Sequence, residues 1–94
     1  MPPPYKRIII RLDVQDYMAQ QLAHLPDVQN CLIDAFKQLK GGEIAYGPDI
    51  IEPMHFAVDR CRHTILFSIN ERTDTLYITR LIYPARNTLR GILY

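Results

Sequence analysis

The chain has 94 residues, a formal net charge of +1, and 48% hydrophobic against 22% charged residues. Those values fit one small folded domain, 1–94, and argue against a disordered chain. No apolar run approaches the ~20 residues of a membrane helix, and two cysteines, Cys31 and Cys61, are too few for a disulfide scaffold, so a reducing, cytoplasmic setting is expected.

Pro2-Pro3-Pro4 reads as an extended lead-in, 1–4, that cannot enter a helix or a sheet interior. The apolar Ile8-Ile9-Ile10 is too short for a signal peptide and is interrupted at once by Arg11. Tyr5 to Leu12 therefore reads as a strand. Asp13 stands where an N-cap is wanted, with Asp16 three residues on, and Val14, Tyr17, Met18, Leu22 and Leu25 follow at helical spacing. Pro26 closes that helix or opens the next. In the second helix Val28, Leu32, Ala35, Phe36 and Leu39 share one face, Lys37 and Lys40 suit the C-terminal dipole, and Gly41-Gly42 supplies the stop. The short link at Pro26 predicts an antiparallel helical hairpin.

Glu43 to Pro53 reads as a loop punctuated by Gly47-Pro48. Met54, Phe56 and Val58 then alternate with His55, Ala57 and Asp59 as in a strand. Asp59–Arg62 makes a turn, Ile65, Phe67 and Ile69 mark the next strand, and Asn70–Asp74 a second turn. Leu76 to Tyr83 is apolar on both faces apart from Thr79 and Arg80, as in a central strand, and Pro84 ends it. The expected fold is α+β: an N-terminal strand, a helical hairpin, then a three-stranded antiparallel meander, with the helices packed on one sheet face. Residues 87–94 read as a C-terminal tail.

Charge is distributed unevenly. From Arg60 onward there are six arginines and no lysine against Glu71 and Asp74; the preceding residues carry five basic side chains against eight acids. Arginine is the better planar partner for phosphate. Arg80 sits inside the most apolar strand, where a lone charge is costly, so a carboxylate or a groove for an anion is expected beside it. Cys61 and His63 make only a pair, short of a metal site, and there is no glycine-rich phosphate loop; no cofactor and no metal are expected.

Two stretches carry a family resemblance. One is Leu22-Ala23-His24-Leu25-Pro26-Asp27-Val28 running into Ile33-Asp34-Ala35-Phe36-Lys37-Gln38-Leu39. The other is Arg62-His63-Thr64-Ile65-Leu66-Phe67 continuing through Thr75-Leu76-Tyr77-Ile78 to Tyr83-Pro84-Ala85-Arg86-Asn87. With the strand–helix–helix–strands order, the chain resembles the RelE/ParE toxin superfamily of bacterial toxin–antitoxin modules over roughly residues 5–90. The resemblance implies growth inhibition, either by metal-free cleavage of mRNA on the ribosome or by inhibition of DNA gyrase without a nuclease site. It implies an antitoxin protein as partner and the ribosome with its mRNA or gyrase as target; the short apolar runs argue against a membrane, and a homodimer is left open. By position, Arg62 or His63 matches the basic residue opening the third strand and Arg86 the basic turn after the fourth. Tyr94, or less closely Tyr83, matches a C-terminal tyrosine that serves as a base.

Cleavage through a 2′-hydroxyl needs a base, cations for charge developing on phosphorus, and an acid for the leaving oxygen. His63 beside Arg62, with Arg80 and Arg86 arriving from the next strand and turn and Tyr94 from the tail, is the candidate catalytic set; His55 is a second candidate base. His63 also shares parity with Ile65, Phe67 and Ile69, which fits a satisfied histidine at the rim of the core. The near-neutral charge and the lysine-free loop Glu43–Pro53 favour a non-cutting or weakly catalytic member. The alternative is a protein-interaction module on a toxin-like scaffold.

Overall fold

The computed structural model describes residues 4–49 and 51–86. The Ile-rich start becomes strand β1 (Arg7–Ile10), and helix α1 (Leu12–Gln20) follows at once. Asp13 is not the N-cap. Arg11 occupies that position without a side-chain cap, and the Asp13 carboxylate instead accepts from the Val14 amide in the first turn and pairs with Arg11 at 3.2 Å. Helix α2 (Pro26–Gly41) has proline in its first turn, where a missing N–H costs no intrahelical bond. It ends at Gly42, whose φ of 76° lies in the left-handed region that glycine enters freely. Leu32, Ala35, Phe36 and Leu39 are buried along its inner face, as their spacing predicts, and Val28 packs at the edge of the same core.

The expected three-stranded meander is corrected by the structure. The sheet has five strands in the order β1-β5-β4-β3-β2 and is mixed, because β1 pairs in parallel with β5 (Thr75–Ile82). The first added strand is therefore β1 itself, which joins the same sheet as the C-terminal strands. Its seat is prepared by backbone groups: Lys6 and Arg7 amides both donate to the Asp74 carbonyl, and the Tyr5 amide donates to that of Lys40 at the end of α2. The other is β2 (Gly47–Pro48), two residues of the loop folded back onto β3 (Phe56–Arg60). An edge position suits Pro48, which has no N–H to give. Met54, expected in the strand, precedes it and is 93% exposed with φ 61°.

Strand β4 (His63–Asn70) lies between β3 and β5. Ile65 and Phe67 point with Val58, Leu76 and Ile78 toward Val14, Met18, Leu32 and Phe36, so the core sits between the two helices and one sheet face. The opposite face carries Thr64 and Leu66. Removing a core side chain such as Leu32 or Phe67 would cost about 2–5 kcal/mol.

One irregularity redirects the strand that carries Arg80. Leu66 pairs with Arg80 and Phe67 with Ile78, leaving Thr79 as an extra residue in a bulge, its hydroxyl bonded to the Leu66 carbonyl at 3.1 Å. Before the bulge Leu76 and Ile78 face the core; after it Leu81 does, and Arg80 turns to the Leu66 face. No helix among the described residues is long and apolar enough to cross a membrane.

Candidate functional site

The β3–β4 connection is a two-residue hairpin: Arg60 pairs with His63, and the turn residues Cys61 and Arg62 have φ of 59° and 63°. Positive φ at both positions is the type I′ geometry that matches strand twist, usually supplied by Asn-Gly. A side chain in this region costs of the order of 1 kcal/mol per residue, so something must hold it. Two contacts do. Cys61 is bonded to Cys31 of α2, with Cα atoms 5.9 Å apart, and the Arg62 carbonyl accepts from the Ala85 amide at 3.0 Å. The disulfide corrects the expectation that the two cysteines stay reduced. Thirty residues separate them in sequence, yet the helix and the turn carry them to bonding distance.

His63, immediately after the turn, is 1% exposed. Its Nδ1 lies 2.7 Å from the Cys61 carbonyl, which can only accept, so Nδ1 carries a proton. Its Nε2 lies 2.8 Å from the Tyr17 hydroxyl, which in the neutral ring donates to it. Both ring nitrogens are thus satisfied inside the fold. Tyr83 packs beside the ring at a tilt, with centroids 5.2 Å apart, and burial, then the neighbouring Tyr83, pushes the Tyr17 hydroxyl pKa above its ordinary value.

Around this group lies a cleft of about 320 Å³. Leu22, Leu25 and Val28 form its apolar wall, Tyr17 and Tyr83 its aromatic one, and Arg62 stands at the rim. Arg62 is exposed, with no ion pair found for it among the described residues. The cleft therefore combines an apolar floor with one cation at its mouth.

The remaining candidate residues are not brought to this cleft. Arg80, turned away by the bulge, is exposed and lies 4.0 Å from Glu52. Arg86 is fixed twice: its amide donates to Thr64 Oγ1 at 2.7 Å, and its guanidinium pairs with the buried carboxylate of Asp49. Thr64 in turn donates to Asp59 at 2.6 Å. Burial alone would raise the Asp49 carboxyl, but the Glu52 amide and the Arg86 guanidinium hold it below its ordinary value. His55 bonds to the Pro53 carbonyl in the loop before β3. Tyr94 lies outside the described residues. Asp49, Tyr17 and the disulfide were not singled out from sequence as site residues; Tyr17 carries no signal beyond helical spacing, and Asp49 none at all.

Among the described residues no group of three or more His, Cys, Asp or Glu is placed to hold a metal ion. No protein-family model matches the chain, and no curated protein or solved structure does.

Proposed function

We propose that the chain is a growth-inhibiting toxin, kept in check by an antitoxin protein, that acts in the cytoplasm by binding a protein target and does not cut RNA. The class rests on the sequence resemblance. The mode rests on one observation: His63 is buried with both nitrogens engaged, Arg86 is neutralised by Asp49, and Arg80 faces the other side of the sheet. A base, two free cations and an acid around one phosphate are what cleavage needs, and this arrangement supports a different use. The cleft beside His63 offers apolar and aromatic walls with Arg62 at the edge, a surface suited to an apolar side chain next to a carboxylate. Of the two targets the resemblance implies, gyrase fits a non-cutting inhibitor.

Induced expression tests the class. Growth should stop while the protein remains soluble, and Arg62→Glu should restore growth at equal protein level. Undisturbed growth at high soluble expression would overturn the toxin reading. It would favour the second one, an interaction module without inhibitory activity, which the net charge of +1 also suits.

A further inference from the structure

We infer that thiol–disulfide exchange at Cys31–Cys61 remodels the cleft, so that the redox state of the surrounding thiols sets the shape of the binding face. The inference deepens the reading of the cleft as that face and rests on it.

The bond sits at the junction of three hollows. Cys61 lines the cleft beside Tyr17, a second hollow of about 460 Å³ with His24, Leu25 and Arg62, and a third of about 430 Å³ with Asp27, Asp34 and Arg60. Cys31 lines the second and third as well. The disulfide is thus a shared wall, and it is the only covalent tie between α2 and the turn among the described residues. That turn holds two non-glycine residues at positive φ, and the Cys61 carbonyl is the group that anchors His63 Nδ1. Loosening Cys61 therefore frees the backbone that orients both Arg62 and His63.

Cys31 is exposed on α2, so an incoming thiolate can reach its sulfur. A dithiol reductant attacks Cys31 Sγ, the S–S bond breaks, and Cys61 leaves as a thiolate that takes a proton from water. The second thiol of the reductant then displaces Cys31 from the mixed disulfide, giving two protein thiols and one cyclic disulfide. The pair is oxidised again by the reverse exchange with a disulfide.

Amide NMR of the 15N-labelled chain, without and with dithiothreitol, tests this. Reduction should move the peaks of Leu25, His63 and Tyr83 by more than a linewidth, leave Phe67 and Ile78 at their native positions, and be reversed by oxidised dithiothreitol. Cys31→Ser should give the reduced pattern with or without reductant; if that variant does not fold, the titration of the unaltered chain decides alone. Unmoved Leu25 and Tyr83 peaks would overturn the inference. So would a collapse of the Phe67 and Ile78 peaks to unfolded positions, since reduction would then unfold the chain and not reshape the cleft. No partner is needed, so this result stands apart from the growth experiment.

Discussion

The Tyr17 hydroxyl lies 2.8 Å from His63 Nε2, joining the first helix to the start of β4 across 46 residues of sequence. A histidine held this way is part of the packing. Tyr17→Phe should leave a buried ring nitrogen without a partner and cost about 1–3 kcal/mol, measured by urea denaturation. It should do so without exposing the core, so the denaturant slope should stay the same.

The Arg86–Asp49 pair should be a stability element. Asp49 is almost fully buried while Arg86 is about a fifth exposed, so Asp49→Asn or Arg86→Ala should cost roughly 2–4 kcal/mol, a little below the range for fully buried pairs. The two changes should be less than additive in a double-mutant cycle.

The same carboxylate gives a pH dependence with a definite sign. Because its folded pKa lies below the ordinary 3.8, its contribution is complete above about pH 4 and fades as pH falls through the folded value. The stability gap between the unaltered chain and Asp49→Asn should be constant between pH 5 and 7 and shrink below about pH 4. Chemical denaturation at stepped pH measures it. A gap that grows on acidification contradicts the assignment.

Arg80 should be expendable. Its partner Glu52 is 4.0 Å away, the Arg80 side chain is mostly in solvent and that of Glu52 about half so, and Arg80→Ala should therefore change stability by no more than about 0.5 kcal/mol. It should also leave growth arrest intact, whereas Arg62→Glu should abolish it.

Closing a loop across 30 residues, the disulfide should contribute about 3–4 kcal/mol. Cys61→Ser should lose that amount in urea denaturation under oxidising conditions, and nothing further on adding reductant.

Local periodicity made α2 legible from sequence, since Leu32, Ala35, Phe36 and Leu39 repeat with the helix turn and meet a single face. The β4 alternation of Ile65 and Phe67 was legible for the same reason. Partner choice was not. Nothing in Arg7–Ile10 records that its neighbour is Thr75–Ile78, because a parallel pairing between distant segments leaves no local pattern. Arg80 was expected beside His63, but the extra residue at Thr79 turns it to the Leu66 face, which no pattern in Leu76–Tyr83 records. The disulfide was hidden because Cys31 and Cys61 become neighbours only once a helix face and a turn tip have met. At the site, His63 stood out by chemistry, but Tyr17 resembled any other core aromatic, and Asp49 any loop acid. Their roles exist only in the assembled fold.

With both ring nitrogens engaged inside the fold, His63 should behave as a packed residue and not as a general base. Mapping mRNA 5′ ends in cells expressing the unaltered chain and His63→Gln measures this directly. Growth arrest with no new ends is the expected result for either protein. New ends produced by the unaltered chain and lost with His63→Gln, at equal amounts of folded protein, would contradict it.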